Sequence, residues 1–290
     1  MNGETKQERE KKHLLRGMYI LPSLFTAGNI AAGYYSITES FQGLSGDAHH
    51  FNYAALAIGF AIPFDAIDGR IARMTHTESD FGKELDSLAD VITFGVAPSI
   101  LAWSWGFKML PAMQDAILHD RLVEFGAFVC FLFLICGASR LARFNISRDP
   151  LPRNPGRAGR KYFVGMPIPA AAGAVAATVH FFSGEPITNP WIAILWLIEV
   201  TVVSLLMVSR WRFWSAKEIN LTKRHSSRKL VLMTMFMASL VLYSRYELLA
   251  LALVYTFSGI VARLGYSWQR SRQNAAQRRL EAIEANAAKQ

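Results

Sequence analysis

What most limits the fold of this 290-residue chain is where its charges are absent. Residues 18–38, 51–64, 125–139, 162–184, 230–244 and 248–262 contain no Asp, Glu, Lys or Arg. An apolar stretch of about 20 residues can cross the hydrocarbon core of a bilayer as a helix. A segment isolated in lipid must satisfy its own backbone hydrogen bonds, so helix is the default. Composition agrees, with 52% hydrophobic and 18% charged residues, against roughly 25% charged in a soluble domain. These figures exclude a disordered chain, a secreted disulfide scaffold and a basic nucleic-acid-binding domain. Cys130 and Cys136, six apart, suit neither a zinc knuckle nor a redox pair and read as small buried apolar residues. The first dozen residues are polar and no small-residue cleavage site follows, so the first apolar segment is expected to act as the targeting signal.

The chain therefore reads as all-α, a multi-pass transmembrane helical bundle of about eight spans. They are placed at 18–38, 50–71, 85–107, 123–143, 163–183, 188–209, 228–244 and 246–266. The last two form a hairpin beside a six-span core, with a tight turn at Arg245-Tyr246-Glu247. Of the 31 Lys and Arg, 28 fall in the N-terminal segment, the loops after spans two, four and six, and the C-terminal stretch. Lys108, Arg121 and Arg245 are the other three. Positive loops face the cytoplasm, which puts both termini there and requires an even number of spans. Residues 1–17 read as a basic cytoplasmic segment at the interface, 18–210 as the membrane core, 211–267 as a basic loop and hairpin, and 268–290 as a cytoplasmic helical tail.

Chemistry concentrates in residues 65–90, DAIDGRIARMTHTESDFGKELDSLAD. Asp65 and Asp68 sit three apart at the cytoplasmic end of span two, and Asp86 and Asp90 four apart at the start of span three. Both spacings share one helix face, and the short connection makes the two spans antiparallel neighbours. Four carboxylates at one depth cannot all stay ionised without compensation, so either their protons are retained or cations fill the gap. Hard oxygen ligands suit Mg²⁺, Mn²⁺ or Ca²⁺, and a two-metal site stabilises an in-line phosphoryl displacement. Gly69, Ala72 and Gly82 leave the helix surface bare for a bulky ligand, and Arg73 is placed to neutralise a phosphate. Acids at one membrane face argue against an ion transporter, whose coupling sites lie near the midplane.

Asp65, Asp68, Gly69, Ala72, Arg73, Gly82, Asp86 and Asp90 spell D-x-x-D-G-x-x-A-R, eight residues, G-x-x-x-D-x-x-x-D. This resembles the signature of the CDP-alcohol phosphatidyltransferase family, with no departure. The stretches GKELDSLADVITFGVAP (82–98), RLARFN (140–145) and FVGMPIPAAAG (163–173) are similar to its bacterial phosphatidylserine synthase branch. With the Gly28-Asn29 region the likeness covers roughly residues 18–210. It implies an inner-membrane, multi-pass enzyme with its site at the cytoplasmic face. Such an enzyme transfers the phosphatidyl group of CDP-diacylglycerol to L-serine, releasing CMP. It also implies two divalent ions, Mg²⁺ or Mn²⁺, a homodimer, contact with membrane lipids and no nucleic-acid partner. Asp65, Asp68 and Asp86 would hold metal, and Asp90 would ligate the second ion and act as general base. Asn29, Gly69, Ala72, Arg73 and Gly82 would bind the CDP-lipid. The alternative acceptors are glycerol 3-phosphate or an inositol phosphate, which would want more cations around the pocket.

A serine acceptor needs a cation for its carboxylate, and Arg140, Arg143 and Asn145 lie at the cytoplasmic end of span four. Gly165-Met166-Pro167-Ile168-Pro169 is expected to shape the start of span five. Glu199 reads as protonated or internally hydrogen-bonded, His180 as interfacial, and Trp103, Trp105, Trp191, Trp196, Trp211 and Trp214 as interface anchors. Ala170-Ala171-Ala172-Gly173 reads as a close-packing or dimer surface.

Overall fold

The computed structural model describes residues 6–75, 80–112, 116–146, 162–214 and 227–287. Helix α1 spans Lys6–Gly43 and α2 spans His49–Thr75. A continuous helical rod, Asp80–Lys108, follows. It consists of α3 (Asp80–Asp90), a π-helical segment Val91–Val96, α4 (Ala97–Trp103) and a second π segment Ser104–Lys108. Then come α5 (Ala116–Ile146), β1 (Tyr162–Val164), α6 (Ile168–Phe181), α7 (Pro190–Val208), β2 (Arg212–Trp214), α8 (Ser227–Leu242) and α9 (Ser244–Ala287). The fold is that of an all-α membrane protein. Among the described residues, Asp80–Lys108, Ala116–Ile146, Pro190–Val208 and Ser244–Arg272 are long and apolar enough to cross a bilayer. Ile168–Phe181 and Met233–Leu242 are shorter apolar helices. Helix α1 is unbroken from Lys6, and α9 runs without a break through the last apolar segment into the polar C-terminal stretch.

Helix α2 packs between α1 and α6, α5 packs on α7, and α9 leans on α6. Phe51, Ile58, Phe94, Leu101, Phe133 and Met207 are fully buried in the core. Small residues let the helices approach. A Cβ on Gly106 would lie 2.1 Å from the Trp196 indole nitrogen, and one on Gly173 would lie 3.0 Å from Ile62. Ala171 and Ala172 are buried in the α6 core face, so the small run serves close packing. Both cysteines are free and buried.

The structure differs from the sequence reading in four places. Span five begins at Ile168, because residues 162–164 pair as a strand with 212–214 (Tyr162 opposite Trp214, Phe163 opposite Phe213). Gly165 then turns the chain at φ +77°. Its N–H donates to Trp211 O (2.8 Å), and a Cβ there would lie 2.5 Å from Met207 O, so only glycine fits. Second, Trp105 and Trp196 are core residues. Their indole N–H groups donate to the carbonyls of Glu185 (2.8 Å) and Ala102 (3.1 Å), which allows burial. Trp191 and Trp214 remain exposed. Third, His180 is buried, with its ring nitrogens 2.7 Å from Asn52 Oδ1 and 2.9 Å from Ser244 Oγ. Fourth, the α8–α9 break falls at Tyr243, and Arg245–Glu247 lie inside α9. Glu247 occupies the first turn of α9, where an acid suits the helix dipole, and accepts from the Ser239 hydroxyl across the bend. Glu199 is internally hydrogen-bonded as expected, accepting from Thr178 (2.7 Å).

Candidate active site

The acidic centre is built between two neighbouring helices. The far half of α2 carries Asp65, and α3 carries Asp86 and Asp90 on one face. One carboxylate oxygen from each of Asp65, Asp86 and Asp90 lies within 4.8 Å of the other two, and all three residues are partly buried. Asp65 and Asp90 are in hydrogen-bonding contact, and Asp86 acts on Asp65 electrostatically. Carboxylates at that separation require a proton or a cation between them. A divalent ion bound at about 2.1 Å holds its ligand oxygens about 3 to 4 Å apart, so this all-oxygen set fits one with small adjustments. Asp68, Gly69, Ala72 and Arg73 follow Asp65 on helical backbone of α2, and their side chains lie outside the described residues. Gly82 is half-buried in the first turn of α3.

Helix α1 closes one side of this centre. Asn29 is 1% exposed, and its backbone carbonyl accepts from the Thr93 hydroxyl at 2.8 Å. Thr93 lies in the π segment directly after Asp90. One turn on, a Cβ at Gly33 would sit 2.8 Å from Thr93 Cα, which shows how tightly α1 presses there. Neither side-chain amide atom of Asn29 has a hydrogen-bond partner among the described residues. Burying such a group unsatisfied costs about 1–3 kcal/mol. The π segment itself was not expected. Such bulges cluster at functional sites. Its sequence signal is Pro98, which lacks the N–H that an α-helical ladder would use.

The end of α5 supplies the opposite side. Arg140 is 7% exposed and lies in electrostatic reach of Arg143 and Asp90. Its Nε has no hydrogen-bond partner among the described residues. Asn145 donates to Ser87 Oγ at 2.9 Å, beside Asp86. Arg143 donates to the carbonyls of Val208 (2.9 Å) and Met207 (3.4 Å), closing the C-terminus of α7. Of the three residues suggested for the acceptor, Arg140 thus faces the acids, Asn145 ties α5 to α3, and Arg143 is engaged by α7. The roles of Thr93 and Ser87 went unnoticed in the sequence because their hydrogen bonds reach across to Asn29 and Asn145 on other helices, which local spacing does not announce.

Compared with known families, residues 19–203 match the CDP-alcohol phosphatidyltransferases. A relative from Helicobacter pylori named CDP-diacylglycerol–serine O-phosphatidyltransferase is 34% identical over 254 residues, covering 84% of this chain and 91% of the relative. A Bacillus subtilis protein of the same name is 34% identical over 196 residues, 68% of this chain and 90% of its own. One from Saccharomyces cerevisiae is 34% identical over 168 residues, 58% and 55% respectively. With that match over residues 19–203 and these likenesses, the chain belongs to the CDP-alcohol phosphatidyltransferase family.

Proposed function

We propose that this enzyme transfers the phosphatidyl group of CDP-diacylglycerol to the hydroxyl of L-serine, giving phosphatidylserine and CMP. The observation that carries the reading is the convergence of Asp65, Asp86 and Asp90 within 4.8 Å, with the buried guanidinium of Arg140 acting on Asp90. The serine identity draws its support from the names of the relatives.

In this reading Asp65, Asp68, Asp86 and Asp90 hold divalent metal, Mg²⁺ or Mn²⁺, as two ions. Metal bound there supplies positive charge against the diphosphate and the departing CMP. Asp90 accepts the proton of the serine hydroxyl, which is a poor nucleophile until a positioned base takes it. The serine oxygen bonds to the phosphorus that carries the diacylglycerol, and that phosphorus loses its bond to the bridging oxygen, which leaves with CMP. Arg140 receives the serine carboxylate, with Arg143 and Asn145 holding the end of α5 around it. Asn29 offers an amide donor and acceptor to the CDP headgroup. Gly69, Ala72 and Gly82 leave room for that headgroup, and Arg73 meets its phosphates. The acyl chains stay in the bilayer.

We further place about eight spans, both termini and the site on the cytoplasmic side of the inner membrane, and two copies in a homodimer. The units are 1–17, 18–210, 211–267 and 268–290. The basic excess supports the orientation. Purified protein given CDP-diacylglycerol, Mn²⁺ or Mg²⁺ and labelled serine should form labelled phosphatidylserine. Release of CMP with glycerol 3-phosphate but not serine would overturn the acceptor.

A further inference from the structure

Helix α9 lies beyond residues 19–203, the part matched by the family, so the family likeness gives it no role. Its start is held at the end of the bundle remote from the acids. Ser244 Oγ lies 2.9 Å from His180 Nε2, and Nδ1 of the same ring meets Asn52 near the start of α2. From there the helix runs unbroken through Arg272 as one apolar span. Trp268 falls about 36 Å along it from Ser244, just past the roughly 30 Å of a hydrocarbon core. It therefore reaches the headgroup region on the side of the acids, where tryptophan settles. Val254, Phe257, Val261, Leu264 and Trp268 recur at three- and four-residue steps and are 54% to 69% exposed, a stripe that the described residues leave uncovered. Arg272 is the next member of that stripe, and its guanidinium carbon sits 3.7 Å from the centre of the Trp268 ring. Stacking occupies one face of the guanidinium and leaves its N–H edge to donate. Three residues before Trp268, a Cβ on Gly265 would meet nothing within 4 Å, so the stripe carries a notch there. No Asp or Glu lies between Glu247 and Glu281, whereas Arg263, Arg270, Arg272, Arg278 and Arg279 do. Arg272 thus has no carboxylate within two turns on its own helix to neutralise it.

We propose that Gly265, Trp268 and Arg272 form a binding site for the headgroup of an anionic phospholipid on the outer, lipid-facing side of α9. A bilayer lipid presents what this face lacks. Its acyl chains lie along the apolar stripe, its glycerol fills the notch at Gly265, and its phosphate accepts from the edge of the Arg272 guanidinium. A lipid with net negative charge is preferred to a zwitterionic one, because a choline cation beside Arg272 would be repelled. The basic run around Arg272 adds a general attraction to an anionic surface, and the Trp268 stack gives that attraction one fixed point. The inference stands whichever alcohol the enzyme accepts.

The test uses the full-length enzyme in phosphatidylcholine vesicles that carry a minor fraction of brominated lipid, whose acyl chains quench nearby tryptophan. The brominated lipid is phosphatidylglycerol in one series and phosphatidylcholine in the other. Subtracting the signal of Trp268→Phe isolates Trp268 from the other tryptophans. Brominated phosphatidylglycerol should quench Trp268 as if enriched about fivefold over brominated phosphatidylcholine, the worth of one cation near the surface. Arg272→Gln should abolish that preference and leave turnover and melting temperature in detergent unchanged. Arg270→Gln removes the same charge two residues away, on the opposite side of the helix, and should leave the preference standing. Equal quenching of wild-type Trp268 by the two lipids would overturn the proposal. So would an equal loss in Arg270→Gln and Arg272→Gln, which would mark a diffuse attraction to a charged surface and no site. Displacement of the lipid by inorganic phosphate would mark a site for a free anion and overturn it as well.

Discussion

The two ends of α2 handle polar groups in opposite ways. Near its N-terminus His50 Nδ1 meets the buried Glu39 carboxylate at 2.6 Å, and Asn52 meets His180, which also meets Ser244. Each group there has a complementary partner from another part of the chain. About 20 Å along the helix, Asp65 faces two further acids, and nearby Asn29 is buried with its amide unmet among the described residues. Paired polar groups hold helices together. Groups of one sign, or groups left unsatisfied, destabilise the fold and persist where a ligand completes them. Mutations should therefore act differently at the two ends.

The largest effect is expected at the acidic end. Asp90→Asn should lower serine incorporation by at least about a hundredfold, the lower bound for removing a general base. Measured without divalent metal, Asp86→Asn should raise the melting temperature, because the Asp86 carboxylate repels that of Asp65. A lower melting temperature would show that the acids support the fold. Chelation should likewise abolish turnover in the wild type, with recovery on adding Mn²⁺ or Mg²⁺.

At the paired end the signs reverse. His180→Ala leaves Asn52 and Ser244 without their shared partner and should cost about 1–3 kcal/mol of stability. Because α9 begins at Ser244, some loss of ordering at its start is expected, read as a drop in melting temperature. The KM for CDP-diacylglycerol should not move. A selective rise in that KM would mean the two ends are coupled and would break the division.

Much of the acidic end was legible in sequence because its chemistry depends on local spacing. Asp86 and Asp90 share a face by helix geometry alone, and Asp65 joins them because a short connection folds one helix beside the next. The paired end was not legible. His180 and Asn52 lie 128 residues apart, and no local pattern announces that they meet. Trp105 and Trp196 misled for a related reason. Tryptophan near a span end usually anchors at the interface, but here each indole found a carbonyl across the bundle and could be buried. The β1–β2 pairing escaped notice because strands of three residues carry too little periodicity to detect. Asn29 was singled out by resemblance, while its unmet amide needed the structure.

Asn29→Ala sharpens the comparison with a smaller effect. It removes a buried amide that nothing in the described protein satisfies, so the melting temperature of the ligand-free enzyme should hold or rise. The KM for CDP-diacylglycerol should rise about tenfold, as for loss of a hydrogen bond to a charged or strongly polar headgroup. A fall in stability with unchanged KM would move Asn29 into the class of His180.

The smallest effect is expected at Asn145, where the two classes meet. It sits at the acidic end, yet its amide already donates to Ser87 at 2.9 Å. If its task is to tie α5 to α3, then Asn145→Ala and Ser87→Ala should behave alike. Each should raise the serine KM about threefold, the worth of one exposed hydrogen bond, and the double variant should add nothing. If Asn145 instead touches the acceptor, Asn145→Ala alone should show the effect and Ser87→Ala should be silent. The geometry favours the first outcome, since an amide already spent on Ser87 would have to break that bond to reach the acceptor.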